Sequence, residues 1–427
     1  MSLLRDPNGA LLLGGAALTD VARDAGTPVY VYDLEAITQS ARSLDAAFDQ
    51  APHVIAYAVK ANTAGAIVEA LGKVGCGADI VSGAELMVAL ACGIPPERIV
   101  YSGVAKTDDD IDRSLACGRS GIGAVLVESL EEIGRVEARA QAAGRTARVG
   151  VRINPSLDLA GATHAHIATG HDEAKFGVPR RDVARAVERV EASSHLRLVG
   201  VTAHAGSQFV ELSPYLDAAR VVFELVRDLR AGGRCRTLAF VDSGGGFGID
   251  YGDAPSVPQP ADFVRAVMAE QRAFGLGDLE LHVEPGRSLV APHGVLVARV
   301  IQAKVASTRR WLMIDAGMND LLRPALYQAR HRVVPLESPV PGDAIAWRVV
   351  GPVCESSDDF GEHLLPPQPP ATVAILDAGA YGYTMASRYN GRQAPAEVFV
   401  RAGRVVGSVA RGSTEDWIRE RAAAGRG

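Results

Sequence analysis

The sequence is poor in the features that mark several large classes of protein. Its 427 residues include five cysteines, an odd number without regular spacing, which argues against a disulfide framework and is typical of the reducing cytoplasm. No stretch approaches the roughly 18 apolar residues of a membrane-spanning helix. The net charge is −6 and no run is rich in lysine and arginine, so neither a nucleic acid nor a membrane surface is an expected partner. We therefore expect a small-molecule partner.

The N-terminal apolar run, residues 10–18, is short and contains the pair Gly14-Gly15. Such a pair predicts a turn between two strands rather than the core of a signal peptide.

Residues from about 50 to 285 alternate short β-branched runs with segments rich in Ala, Leu, Glu and Arg. This alternation is typical of repeated strand–helix units on a parallel sheet. The runs that we interpret as strands are residues 54–59, 78–81, 99–101, 124–127, 147–153, 198–203, 238–241 and 279–283. Eight such units over roughly 240 residues predict a TIM (β/α)8 barrel, with a doubly wound sheet as the alternative. We assign residues 36–295 to the barrel.

After about residue 295 the pattern changes to strand-like runs broken by Gly and Pro, with an evident loop at residues 366–370. Little helical periodicity remains, which favours a β domain built as a barrel or a sandwich. The strand-like residues 27–32 precede the barrel and resemble these runs. We therefore expect residues 1–35 and 296–427 to form one β domain.

Several predicted strands end in polar or glycine-rich residues, and Lys60 is the clearest case. It closes the apolar run 53–59 and carries an amine that could bind a carbonyl carbon covalently. The alternative is a solvated lysine at the end of a core strand. The other polar strand ends are residues 82–85, 102–103, 152–155, 204–207, 242–246 and 284–287. In a barrel the carboxyl ends of all strands meet at one face, where active sites lie.

The glycine-rich segment 242–248 follows a predicted strand, so its amides could cradle a phosphate, although a plain turn is an equal alternative. It is not a dinucleotide-binding fingerprint, because Ile249 occupies the position of the last glycine. His164, His166 and His171 could be drawn as a zinc cluster, but no cysteine pair or H-E-x-x-H helix accompanies them. We expect a mobile polar loop there and no metal.

Seven motifs together indicate a family. In order they are AVKAN at 58–62, HAGSQ at 204–208, GGGFG at 244–248, EPGR at 284–287, MNDLLRPALY at 318–327, CES at 354–356 and GAYG at 379–382. In order and spacing the chain resembles the diaminopimelate decarboxylases, which are fold-type III pyridoxal-phosphate enzymes, from about residue 25 to 415. The resemblance implies pyridoxal 5'-phosphate as cofactor.

The resemblance also implies roles for the motif residues. Lys60 would hold the cofactor covalently and pass it to the substrate amine, Glu284 would pair with the pyridine nitrogen, and His204 would lie against the ring. The residues that would hold the phosphate are Gly244, Gly245, Gly246, Gly286, Arg287 and Tyr381, with Ser207 assisting.

In this family two residues reach the active site from the neighbouring subunit. Here they would be Cys354, as proton donor after CO2 has left, and Glu355, so the resemblance implies an obligate homodimer with shared sites. An ordinary thiol, with a pKa near 8.5, is mostly protonated at neutral pH and can donate.

The implied reaction is the decarboxylation of meso-2,6-diaminopimelate to L-lysine and CO2, the last step of bacterial lysine biosynthesis. Arg287 and Arg323 would grip the distal carboxylate of the substrate, Tyr327 would add a hydroxyl, and Glu355 would take the distal ammonium. Tyr381 would also contact the substrate. An ornithine-type decarboxylase would want an acid where Arg323 stands, and a racemase would need a tyrosine base that we do not identify. A decarboxylase of the carboxynorspermidine type and a non-catalytic pyridoxal-phosphate-binding homologue remain as alternatives. The segment 358–366 follows the family loosely, which leaves the loop after Glu355 open.

Overall fold

The computed structural model describes residues 3–157, 174–252, 256–337 and 339–423. His164, His166 and His171 lie outside the described residues. The chain divides into two compact units. The barrel unit comprises residues 40–249 and 256–288, and the second unit comprises residues 1–39, 250–255 and 289–427. The predicted domain boundaries at residues 36 and 295 stay a prediction.

The strands are numbered in chain order. They are β1 Leu3–Arg5, β2 Leu11–Leu13, β3 Ala16–Ala17, β4 Val29–Asp33, β5 His53–Ala58, β6 Gly77–Ile80, β7 Ile99–Tyr101, β8 Ala124–Val127, β9 Ala147–Asn154, β10 Val178–Pro179, β11 Leu196–Thr202, β12 Phe240–Asp242, β13 Glu280–Val283, β14 Gly294–Val305, β15 Arg310–Ile314, β16 Val333–Pro335, β17 Ile345–Val350, β18 Asp359–Leu365, β19 Thr372–Ile375, β20 Ala396–Arg401 and β21 Arg404–Val409.

The α-helices are numbered likewise. They are α1 Leu18–Ala25, α2 Leu34–Asp45, α3 Gly65–Lys73, α4 Gly83–Ala91, α5 Asp108–Ala116, α6 Leu130–Ala142, α7 Val183–Ala192, α8 Ser213–Ala231, α9 Pro260–Ala273, α10 Arg287–Val290, α11 Arg323–Tyr327 and α12 Thr414–Ala422.

The barrel unit is built around a closed parallel sheet in the order β5-β6-β7-β8-β9-β11-β12-β13. Closure is complete because β13 pairs with β5 and β8 pairs with β9, both in parallel. The short strand β10 adds to β9. The predicted TIM barrel is confirmed, and all eight predicted runs coincide with its strands to within two residues at each end.

Large and small side chains alternate in the core of the barrel. Buried residues that pack together there include Val54, Ala56, Val100, Leu126 and Phe240. The glycines of β9 and β11 make room for the two largest of them. A Cβ on Gly150 would lie 2.5 Å from Leu126 Cδ2, and a Cβ on Gly200 would collide with the ring of Phe240. Because the core is densely packed, a side chain at either position would require Leu126 or Phe240 to shift.

Two helices on the barrel begin in the same way. Ser82 caps α4 and Ser129 caps α6, each accepting a hydrogen bond from the third residue of its helix. That third residue is Glu85 or Glu132, and its side chain turns back to accept the N–H of Val81 or Glu128, at 2.8 Å in both cases. Both glutamates are buried. They bring carboxylates to the carboxyl ends of β6 and β8.

The second unit contains a large mixed sheet in the order β18-β17-β15-β14-β4-β20-β21, with β19 pairing to β14 and β16. The N-terminal strand β4 lies inside this sheet, antiparallel to β14 and parallel to β20. A separate three-stranded sheet is formed by β1, β2 and β3. The predicted β domain that includes the N-terminal segment is thereby confirmed as part of the fold. Helix α12, which follows the last strand, is absent from the sequence prediction.

Within the described residues, each helix is too short or too polar to cross a membrane. All five cysteines are free thiols.

Candidate active site

Lys60 lies at the carboxyl end of the barrel, in a single helical turn that follows β5. The end of β5 is joined to the segment after β13, because Ala58 N–H donates to the carbonyl of Pro285 at 3.1 Å. Lys60 Nζ forms an ion pair with Asp79 of β6. The Asp79 side chain is fully buried, whereas that of Lys60 keeps a third of its surface exposed. The amine is therefore held by a buried acid and still open to a ligand.

Three buried carboxyl groups converge on this end of the barrel: Asp79, Asp242 and Glu284. Burial raises the pKa of Asp242. The pKa of Glu284 lies well above its usual range, first through burial and then through the charges of Asp242 and Asp79, while Lys60 and Arg152 oppose the shift. Asp79 Oδ1 has no hydrogen-bond partner among the described residues. The raised pKa of Asp242 and Glu284 favours the protonated acids, and a cation bound beside them would favour the carboxylates.

His204 follows β11 and is a neutral imidazole. Burial lowers its pKa well below the usual range, and the positive charges of Arg152 and Lys60 lower it further. Its Nδ1 accepts the N–H of Gly245 at 3.2 Å, which assigns the proton to Nε2. Glu284 Oε2 is 3.9 Å from the same Nδ1, but a neutral ring with Nδ1 as acceptor makes no ion pair with it.

The glycine loop after β12 makes a sharp turn and packs closely on the backbone at Glu284. Gly244 and Gly246 have φ angles of +72° and +98°, which disfavour residues with a Cβ. A Cβ on Gly245 would collide with the carbonyl oxygen of Glu284. Two amides of this bend are already paired, since Gly244 N–H donates to Asp242 Oδ1 at 2.7 Å and Gly245 N–H donates to His204 Nδ1.

Arg287 and Ser207 meet although 80 residues separate them. Arg287 Nη2 donates to Ser207 Oγ at 2.8 Å, and the arginine is buried. The backbone just before Arg287 packs tightly on the turn that carries Lys60, since a Cβ on Gly286 would lie 2.9 Å from Ala61 Cβ. A guanidinium and a hydroxyl thus stand together close to the lysine turn.

In the second unit, Arg323 begins the short helix α11 and is buried. Its Nη1 donates to His331 Nε2 at 2.7 Å. His331 Nδ1 lies 2.8 Å from the carbonyl of Leu376, so Nδ1 carries the proton and Nε2 accepts. The Arg323 guanidinium also lies 4.6 Å from the ring centre of Tyr251. Tyr327, at the other end of α11, is half-buried.

Cys354 and Glu355 lie in an exposed loop after β17, and that loop is ordered by hydrogen bonds. Cys354 N–H donates to Asn390 Oδ1 at 2.9 Å, and Tyr389 Oη donates to Glu355 Oε1 at 2.5 Å. The buried carboxylate of Asp358 accepts the N–H groups of Val353 and Met318, both at 2.6 Å. These bonds fix the loop that the sequence left open.

Tyr381 has a φ angle of +54°. A non-glycine residue in the left-handed region stores backbone strain, and such strain is common at functional sites.

The sequence prediction missed several residues of these clusters. Asp79 lies within the predicted strand 78–81 and was not recognised as a site residue, because its ion-pair partner Lys60 is 19 residues away. Arg152 stood at a predicted strand end, but its buried partner Glu128 was not identified. Tyr389, Asn390 and His331 lie outside the seven motifs. Glu128 directly follows the predicted strand 124–127, and this position could have identified it as a residue at the carboxyl end of the barrel. The roles assigned to the motif residues stay predictions.

Comparisons with known proteins identify relatives over nearly the whole chain. Residues 34–291 match the model of a family described as pyridoxal-dependent decarboxylase, pyridoxal binding domain. A diaminopimelate decarboxylase of Zymomonas mobilis is 39% identical over 422 residues, which cover 97% of each chain.

Solved structures are similar over nearly the whole chain. That of diaminopimelate decarboxylase from Helicobacter pylori, complexed with L-lysine, has a TM-score of 0.87 and 36% identity over 95% of this chain and 100% of that one. That of diaminopimelate decarboxylase from M. jannaschii, in co-complex with L-lysine, has a TM-score of 0.90 and 33% identity over 98% of this chain and 97% of that one.

Proposed function

The chain belongs to the diaminopimelate decarboxylases, a family of pyridoxal-dependent decarboxylases, and from this membership we propose that it converts meso-2,6-diaminopimelate to L-lysine and CO2. In bacteria this is the last step of lysine biosynthesis. The observation that supports the proposal most is the pairing of Lys60 with a buried acid beside two further buried carboxyl groups at the carboxyl end of the barrel.

Pyridoxal 5'-phosphate fits the chemistry of this cluster. The charges of Asp242 and Asp79 help to raise the pKa of Glu284, and the protonated nitrogen of a pyridine ring would offset them. Lys60 offers the amine for covalent attachment, and the neutral face of His204 suits a planar ring. The phosphate would be held by Gly244, Gly245, Gly246, Gly286, Arg287, Ser207 and Tyr381. When bound, the cofactor supplies an electron sink for the negative charge that CO2 leaves behind.

The residues of the chain would then control protons. Asp79 accepts the hydrogen bond of Lys60 Nζ and so holds a proton at that amine. Glu284, as a carboxylate, would keep the ring nitrogen protonated. The same charges that raise the pKa of Glu284 strengthen its attraction for a cation. Cys354 of the partner subunit would donate the proton that replaces the lost carboxyl group.

Substrate preference follows from the arginines. We propose that Arg287 and Arg323 bind the distal carboxylate of the substrate, with Tyr327 and Tyr381 beside it and Glu355 of the partner subunit on the distal ammonium. Each hydrogen bond to a charged group contributes about 1.5 to 3 kcal/mol. Ornithine and lysine lack the distal carboxylate, and a site that leaves buried polar groups unpaired rejects the analogue by up to about 10⁴-fold.

The proposal includes a homodimer with shared active sites and a cytoplasmic location. The exposed position of Cys354 and Glu355 supports the shared sites of the dimer. The five free cysteines support the cytoplasmic location.

Product analysis tests the proposed function. Purified protein with pyridoxal phosphate is incubated in parallel with meso-diaminopimelate, L-lysine, L-ornithine and carboxynorspermidine, with Lys60→Ala as the control. We expect lysine and CO2 from diaminopimelate alone. Turnover of carboxynorspermidine instead would favour that alternative, and bound cofactor without turnover of any substrate would favour the non-catalytic homologue.

A further inference from the structure

We propose that Glu128 is a positioning residue of the active site, which holds the guanidinium of Arg152 at the cofactor end of the barrel. This inference rests on the proposed function, since it assigns Glu128 a part in the same cofactor site. Glu128 directly follows β8, and Arg152 lies near the end of the neighbouring strand β9. Their side chains are 7% exposed or less, and Arg152 Nη1 donates to Glu128 Oε1 at 3.0 Å.

Strand register places Arg152 beside the predicted cofactor residues. Arg152 pairs with Thr202 on β11, and Thr202 pairs with Asp242 on β12. His204 follows two residues after Thr202. Arg152 therefore lies in the layer of the barrel that carries the buried acids and the imidazole. Its charge lowers the pKa of both Glu284 and His204.

Glu128 is part of a buried chain of four charges. Lys106 Nζ donates to Glu132 Oε1 at 3.1 Å and to the carbonyls of Gly103 and Leu126 at 2.6 and 2.7 Å. Glu132 Oε2 accepts the N–H of Glu128 at 2.8 Å. The chain thus has a positive charge at each end, Lys106 and Arg152, and two carboxylates between them, which are linked by the Glu128 N–H. The Lys106–Glu132 end braces the backbone of Glu128, and the Glu128 side chain braces Arg152.

Glu128 also fixes a second support of Arg152. Its Oε2 accepts the N–H of Gly177 at 2.9 Å. The preceding residue, Phe176, places its ring 4.8 Å from the Arg152 guanidinium. The Glu128 carboxylate therefore binds the Arg152 guanidinium directly. It also binds the backbone N–H of Gly177, next to Phe176, whose ring contacts the same guanidinium.

A buried ion pair is weak evidence of stabilisation, because desolvation offsets most of the attraction. Geometry accounts better for the Arg152–Glu128 pair. An arginine has several rotamers, and a carboxylate bonded from two sides selects one of them. The alternative is that Glu128 contributes only to the stability of the fold, as a structural brace. The two roles predict different effects of substitution on the pH profile and on cofactor loss.

Glu128→Gln tests the proposal in the holoenzyme. The neutral amide accepts fewer hydrogen bonds from Arg152 and Gly177, so the guanidinium is released from the pocket. We expect kcat to fall about 10- to 100-fold, as for a displaced active-site group, with KM for diaminopimelate changed less than threefold. We also expect faster loss of the visible absorbance of the cofactor on dialysis.

The pH profile of kcat gives a readout that a structural brace would not move. The groups that act on Glu284 are Asp79, Asp242, Lys60, Arg152 and His204. Without a fixed Arg152, the pKa of Glu284 rises, and the carboxylate is lost at a higher pH. The acidic limb of the profile should therefore move to higher pH in Glu128→Gln, and Glu128→Asp should restore part of the shift.

Glu132→Gln is the matched control, because it makes the same substitution one step further from Arg152. We expect it to lower the melting temperature and leave the acidic limb and the cofactor dialysis rate as in the wild type. Equal effects of both substitutions, or an unchanged acidic limb in Glu128→Gln, would reduce Glu128 to a structural brace. The dialysis measurement requires no substrate. If the wild-type protein does not turn over diaminopimelate, the proposed function is wrong, but the rate of cofactor loss from Glu128→Gln still tests the role of Glu128.

Discussion

Tyr389 and Asn390 hold the two residues that the proposed dimer would share. Asn390, with a φ angle of +54°, accepts the Cys354 amide, and Tyr389 donates to the Glu355 carboxylate. Neither Tyr389 nor Asn390 belongs to a motif. Tyr389 and Asn390 are adjacent in sequence, and so are Cys354 and Glu355. One short turn therefore orients both the proposed proton donor, Cys354, and the carboxylate of Glu355.

Tyr389→Phe removes the hydroxyl that orients Glu355. If Glu355 binds the distal ammonium of the substrate, KM for diaminopimelate should rise about three- to tenfold while kcat stays within twofold. Steady-state kinetics of Tyr389→Phe, Glu355→Gln and the double variant check this. An additional effect of Tyr389→Phe in the Glu355→Gln background would contradict the idea that the tyrosine acts through Glu355.

At this scale the sequence predicted residues whose position follows from chain order alone. Lys60, His204 and Glu284 stand where strands end, and the barrel brings strand ends together. Asp79 and Glu128 were missed because their charge partners are 19 and 24 residues away. A buried acid without a visible partner looks the same in sequence as a solvated one.

Among the strands of the second unit, β20 carries an unusual buried acid, Glu397. Tyr32 of β4 donates to its carboxylate at 3.0 Å, and burial raises its pKa to about 7. The folded state therefore binds this proton more tightly than the unfolded state does. The contribution to stability is full below pH 4.5, the pKa of an ordinary glutamate, and is lost as pH rises to about 7.

Glu397→Gln keeps the acceptor for Tyr32 and removes the titration. We expect the variant to be more stable than the wild type above pH 7, by up to about 3 kcal/mol, and to lose this advantage near pH 4. Denaturant unfolding at several pH values measures the difference. Glu362→Gln, on the exposed side of β18, should keep the wild-type slope. Asp320, whose pKa is also raised to about 7, is present in every variant and cancels from the comparison. Parallel curves for Glu397→Gln and the wild type would contradict the assignment.

In the barrel, Gly200→Ala should destabilise β11 by about 1 to 3 kcal/mol, because the added methyl group overlaps the ring of Phe240. The control is Gly232→Ala at the end of α8, where a Cβ would meet its nearest neighbour at an ordinary 3.5 Å. Thermal unfolding of both variants compares them. A Gly200→Ala variant as stable as Gly232→Ala would show that the barrel core has room to spare.

The elements show why some structure was predictable. Strands β7 and β8 were placed to the residue because their apolar, β-branched runs are too short for a helix and too apolar for a loop. Helix α12 was missed because none of its residues is buried, so it leaves no apolar stripe. Its signal was the cap, in which Ser413 accepts the N–H of Asp416 at 2.9 Å. Val59 was assigned to a strand but lies in the helical turn of Lys60.

For the whole molecule, the proposed dimer predicts complementation. Lys60→Ala and Cys354→Ala should each be nearly inactive alone. In a mixture that exchanges subunits, half of the dimers are mixed and each has one intact site, so activity should recover to about one quarter of the wild type. Activity after mixing, against unmixed samples, measures this. Without recovery despite demonstrated exchange, Lys60 and Cys354 would have to act in one subunit.

The strand β4 lies between β14 and β20 and ends at residue 33, whereas those neighbours begin at residues 294 and 396. A ribosome adds about 5 to 20 residues per second. The nascent chain therefore carries an apolar strand without a hydrogen-bond partner in the large sheet for roughly 13 to 52 seconds, until synthesis reaches β14. The barrel unit is synthesised during that interval. The first strand of the large sheet to leave the ribosome thus stays without a partner while the whole barrel unit is synthesised, and its unpaired backbone groups are open to pairing with other chains during that time.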